Sequence, residues 1–263
     1  MTGNMTGPLV LYERDDHVAT LTYNRPERLN AITGALRTEL NAAWERFRDD
    51  DDAWIGVITG AGRAFCVGAD LTDGAGSAGT WPGSFWEIPT VNSFESGLEV
   101  WKPTIAAVNG YCLGYGLTLA SACDFIIAAD DAEFGMPEVR LGVPTIVGAM
   151  RLPRRIRMQD ALELLLTGDR IDAERAHEIG LAWKVVSRDT LLDEARKLAD
   201  RLCRGAPLAV RAVNEMAHRG RHLPWEDAVR MGEAMRRVVG GTDDAREGMQ
   251  AAAERRPPRW TGH

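Results

Sequence analysis

Only four cysteines, Cys66, Cys112, Cys123 and Cys203, occur in 263 residues, and no CxxC pair stands among them. That spacing supplies neither a zinc knuckle nor a disulfide framework, and their apolar neighbours are those of reduced core thiols. Histidine is as sparse. His17, His177, His218, His222 and His263 are too dispersed for a metal site, and Gly220 divides the one close pair, His218 and His222, which is expected to face solvent. No apolar stretch approaches the roughly 20 residues of a membrane span, and "MTGNMTGPLV" lacks the basic and apolar regions of a signal peptide. A cytoplasmic location is expected. Cations are also in deficit: 31 Lys and Arg against 38 Asp and Glu leave a net charge of −7, which argues against nucleic acid as a partner. The basic patch "RLPRRIR" reads as a solvated helix end. P-loop, zinc-protease, nucleophile-elbow and complete EF-hand signatures are absent, and "GYGLTL" lacks the third glycine of a dinucleotide fingerprint.

Short apolar runs bounded by turn residues organise what remains. "LVLYERDDHVATLTYN" reads as two strands round a charged turn, and "WIGVITG", "TIAAVNGY", "DFIIAAD" and "LAWKVVS" as buried strands. Thr33 is placed to cap a helix through Phe47, because Leu36, Leu40, Ala43, Trp44 and Phe47 recur at helical spacing. Strands alternating with helices predict an α/β core. Residues 1–8 read as a flexible leader, 9–188 as that core, and 189–263 as a helical C-terminal region divided by Gly and Pro. A Gly- and Pro-rich lobe, "TDGAGSAGTWPGSFWEIP", interrupts the core and carries Trp81, Phe85 and Trp86, aromatic side chains suited to a ligand pocket, a loop anchor or a subunit contact.

Two glycine-bearing turns each follow an apolar strand: "VITGAGRAFCVGADL" and "AAVNGYCLGYGLTLA". Glycine lets backbone N–H groups approach a ligand, and two such groups converging from different strands make an oxyanion hole. Tight strand-to-helix turns would use the same residues. Together with "AEFGMPEVRLGVP", the ordered set resembles the crotonase, or enoyl-CoA hydratase/isomerase, superfamily, over nearly the whole chain.

That resemblance implies a crotonase-type spiral of ββα units with a helical C-terminal oligomerisation region, assembled as a homotrimer or dimer of trimers. It implies an acyl-CoA substrate, no metal, and no cofactor beyond the CoA moiety that arrives with the substrate. The N–H groups of Ala69 and Tyr115 would form the oxyanion hole, with Tyr115 standing where a glycine is expected. CoA contacts would come from Arg28, Leu29, Arg63, Val67, Gly68, Asp70 and Leu71, although Asp70 also suits a capping role. Family hydratases use two glutamates; here the first position is Thr118 and the second is Glu138. One carboxylate suffices to move a proton between carbons, whereas hydration is better served by two. Glu138 is therefore expected to be the single acid and base of an enolate mechanism. The alternatives are an acyl-CoA-binding homologue with little activity, or dehydration, decarboxylation or thioester hydrolysis on the same scaffold. The C-terminal tail near Arg255 and Trp260 is a candidate to complete a neighbour's CoA site.

Overall fold

The computed structural model describes residues 7–73 and 93–263. Trp81, Phe85 and Trp86, and most of the leader, lie outside these residues. The charged turn at Asp16 and His17 joins β1 (Val10–Asp15) to β2 (Val18–Tyr23) as an antiparallel pair. The predicted helix follows as α1 (Gly34–Asp49), with Leu36 N–H donating to Thr33 Oγ1 at 3.1 Å. Its apolar stripe buries Leu36, Leu40, Trp44 and Phe47, each contributing about 2 kcal/mol.

From there the chain winds as a spiral. Each turn delivers one strand to a six-stranded sheet and a short one to a four-stranded sheet. The larger sheet receives β3 (Ile55–Gly60), β5 (Thr104–Val108), β7 (Phe125–Ala129) and β10 (Lys184–Val186); the smaller receives β4 (Ala64–Cys66), β6 (Tyr111–Leu113), β8 (Glu133–Gly135) and β9 (Arg170–Asp172). The orders are β1-β2-β3-β5-β7-β10 and β4-β6-β8-β9. All pairings from β2 through β10 in the larger sheet are parallel, which explains why β3 and β5 are fully buried and apolar apart from Thr59 and Thr104. Between the strands lie α2 (Tyr115–Ala120), α3 (Val147–Arg155), α4 (Met158–Thr167) and α5 (Ala173–Glu178).

The C-terminal region is helical: α6 (Leu191–Leu202), α7 (Pro207–Arg219), α8 (Trp225–Val239) and α9 (Asp243–Glu254). Helix α6 packs on the large sheet, whereas α7 and α8 bury no residue within the chain. The tail folds back on α9: Thr261 and Gly262 amides donate to Asp244, and Trp260 Nε1 donates to Arg204 O at 2.8 Å. Trp260 is thus held by its own chain. His218 and His222 are both exposed, as expected, and His218 Nε2 lies 2.8 Å from Asp124 Oδ1. Asp124 accepts from Thr104 N–H and Oγ1–H as well, at 2.7 and 2.9 Å, so it braces α7 against β5. No helix among the described residues is long and apolar enough to cross a membrane.

Candidate active site

At Gly60 the chain leaves the large sheet, forms β4, and turns through Val67–Asp70. This turn is stitched to residues 29–32: Val67 N–H donates to Leu29 O (3.3 Å), Ile32 N–H to Gly68 O (2.8 Å) and Asp70 N–H to Ile32 O (2.9 Å). Between those bonds, the Ala69 N–H finds no acceptor among the described residues. The next spiral turn repeats the plan. Strand β6 runs into Gly114, and Tyr115 opens α2, so its amide has no carbonyl one turn back and no other acceptor among the described residues.

Two glycines bring these turns together. A Cβ on Gly68 (φ 96°) would lie 3.6 Å from Tyr115 N, and a Cβ on Gly114 (φ 54°) would lie 3.0 Å from Glu138 Oε1. Both residues need a backbone conformation that side chains disfavour, and at Gly114 the added carbon would also press on the carboxylate. Glu138 stands in the first turn of the 3-10 helix Pro137–Leu141. Its Oε2 is buried without a hydrogen-bond partner, and burial pushes its carboxyl above the ordinary range. Arg140 does not neutralise it, being taken by Asp169 and by Thr167 O.

One cavity of about 590 Å³ joins these groups. Glu138, Tyr115, Gly68, Val67 and Leu29 line it together with Ala69, Leu71 and Arg63, which are exposed. Three other residues singled out from sequence do not line it. Arg28 extends to Thr72 Oγ1 at 3.1 Å. Asp70 is 5% exposed and turned into the protein, where it accepts from Thr72 Oγ1–H (2.6 Å), Thr72 N–H (2.9 Å) and Arg25 Nη1–H (2.6 Å). Those donors, Thr72 first and Arg25 next, hold its carboxyl well below the usual range, so it is a brace for the turn. Thr118 is buried in α2, its Oγ1 2.9 Å from the place a Cβ on Gly148 of α3 would occupy.

Tyr111 and Arg170 line the same cavity and were not anticipated. Arg170 lies over the Tyr111 ring, 5.5 Å from its centroid, and its Nη1 donates to Glu133 Oε2 at 3.1 Å. Tyr111 stands next to a glycine motif and carries a weak local signal. Arg170 carries none, since β9 brings it from far along the chain. Among the described residues no three His, Cys, Asp or Glu side chains gather as metal ligands.

The enoyl-CoA hydratase/isomerase family model matches residues 13–263. The chain belongs to that family. The chain is 36% identical to (E)-benzylidenesuccinyl-CoA hydratase of Thauera aromatica, over 96% of this chain and 99% of that one. It is 38% identical to carnitinyl-CoA dehydratase of Citrobacter koseri, over 95% and 97%. The crystal structure of enoyl-CoA hydratase from Mycobacterium tuberculosis H37Rv superposes with a TM-score of 0.89 at 38% identity, covering 98% of this chain and all of that one. The hydratase/isomerase thus has the crotonase α/β fold with its helical C-terminal region, and is an acyl-CoA enzyme of enoyl-CoA hydratase/isomerase type.

Proposed function

We propose that the enzyme seats a thioester carbonyl oxygen between the Ala69 and Tyr115 N–H groups and moves a proton at the adjacent carbon through Glu138. The observation that carries this reading is the meeting, in one cavity, of two unclaimed amides and a carboxylate whose Oε2 is buried and unpaired. Removing a proton from the α or γ carbon puts negative charge on the thioester oxygen. Fixed donors in a site shielded from water stabilise that charge by several kcal/mol, of order 3 kcal/mol for one donor. A carboxyl raised by burial is suited both to accept the proton and to return it.

Return to a different carbon shifts the double bond, and one carboxylate is enough for that. Addition of water needs a group to hold the water, and Thr118 lies behind the cavity wall, so isomerisation is the favoured direction. The names of the hydratase and dehydratase relatives support a second reading, reversible hydration through the same enolate. At the exposed edge of the cavity, Arg63 is suited to the phosphates of CoA, and Leu29, Val67 and Leu71 to its apolar arm. No group beyond the substrate's own CoA is required by this chemistry. Four unpaired thiols suit a reducing cytoplasm.

The test is mass spectrometry of 2-enoyl- and 3-enoyl-CoA thioesters incubated with enzyme in deuterated water. Deuterium uptake with a shifted double bond supports isomerisation, and a mass gain of one water supports hydration. Glu138→Gln is expected to abolish both while changing acyl-CoA affinity only a few-fold. Full activity in that variant removes Glu138 from the mechanism.

A further inference from the structure

Glu95 is a buried carboxylate that this mechanism leaves unused. It sits in the 3-10 turn Phe94–Ser96, against α2, and is 5% exposed. Its Oε1 accepts from Ser93 Oγ–H at 2.6 Å, while Oε2 is buried with no hydrogen-bond partner and no cation paired to it among the described residues. A half-satisfied buried carboxylate is costly to keep. Beside it lies the Tyr115 hydroxyl, likewise buried and without a partner. Burial first, and the Glu95 charge second, push that phenol well above its ordinary range. The turn that carries Glu95 packs on the helix that Tyr115 opens, and a hydrogen bond from the phenol to the carboxylate would satisfy both groups.

The residue so anchored is the one whose amide points into the cavity. Gly114, on its N-terminal side, has no side chain to hold the peptide between them. Thr118 N–H donates to Gly114 O at 2.9 Å and so restrains the carbonyl end of that peptide. The far end is restrained by the Tyr115 ring, which carries the Arg37 guanidinium 5.0 Å above its centroid.

Resting on the enolate reading above, we propose that Glu95 is a positioning residue: by holding the Tyr115 phenol it aims the Tyr115 N–H at the thioester oxygen. The contribution belongs to the charged enolate more than to the neutral thioester, so it appears in kcat and not in KM.

Two ligands separate this role from general packing. Acetoacetyl-CoA offers an enolate oxygen to the amides; an alkyl-CoA thioether has no carbonyl at all. Tyr115→Phe and Glu95→Ala are each expected to lower kcat about ten-fold with KM within about two-fold, and to weaken acetoacetyl-CoA binding similarly while leaving thioether binding unchanged. The double variant is expected to fall no further than the worse single one, because the two side chains act as a unit. Glu95→Gln, whose amide oxygen can still accept a hydrogen bond from the phenol, is expected to recover most of the loss. Tyr115→Phe keeps the ring and decides the matter if Glu95→Ala does not fold. Unchanged kcat in Tyr115→Phe, or equal losses for acetoacetyl-CoA and the thioether, overturns the proposal. A wild-type enzyme that exchanges no α-proton overturns instead the enolate reading on which it rests.

Discussion

Two carboxylates near one turn titrate in opposite directions, and the reason is what surrounds each. Asp70 has donors on both oxygens and stays ionised; Glu138 has burial and no cation. Because the folded-state pKa of Glu138 lies above its ordinary value of 4.5, ionising it costs folding free energy. That cost is absent below pH 4.5, grows as pH rises, and is complete once pH exceeds the folded-state pKa. Glu138→Gln is therefore expected to raise the melting temperature at about pH 8 and to leave it unchanged at about pH 4. Calorimetry at the two pH values checks this, and an equal shift at both would assign the effect to packing.

Helices α2 and α3 meet through small groups. Thr118, Met136 and Gly148 are in close contact: a Cβ on Gly148 would stand 2.7 Å from Met136 Cε and 2.9 Å from Thr118 Oγ1. Thr118, the first of the two positions where the family resemblance implies a hydratase glutamate, is here part of a helix contact. Thr118→Glu is expected to destabilise the fold by about 2 kcal/mol through overpacking and a buried charge, without a gain in hydration of a 2-enoyl-CoA. Urea unfolding together with a hydration assay reads both effects. A stable variant with faster hydration would mean that α3 yields and that the missing acid alone limits the reaction.

The last third of the molecule has more apolar surface than one chain can cover. Val213, Trp225, Val238 and Met249 are 61–77% exposed, and α7 and α8 contribute nothing to the core. An amphipathic helix with no buried residue gains little from folding alone, so these faces favour association with further copies of the chain, and we propose the trimer or dimer of trimers that the family resemblance implies. Light scattering is expected to give three or six times the 28.8 kDa chain mass. Trp225→Glu with Val238→Glu is expected to shift the mass toward one chain and lower the melting temperature; a monomeric wild type would end the proposal.

Strands β3, β5 and β7 and helix α1 were legible because their patterns are local: apolar runs between turns, and a stripe at helical spacing behind a threonine cap. The three-residue strands β4, β6, β8 and β9 were not, since so short a segment has no period and exists only through its pairing partners. The same division runs through the site. The glycine turns, the lone carboxylate of "MPEVRLG" and the threonine where a second acid would stand are visible as residue types in order. Which neighbours in residues 67–71 face the cavity is decided by pairing with Ile32, which turns Asp70 inward and leaves Ala69 N–H unclaimed. Arg170 reaches the cavity, and Glu95 reaches Tyr115, across separations that no local pattern encodes. Chain order supplied the chemical groups; long-range packing set their burial and partners, and with them which amide is free and which carboxyl is raised.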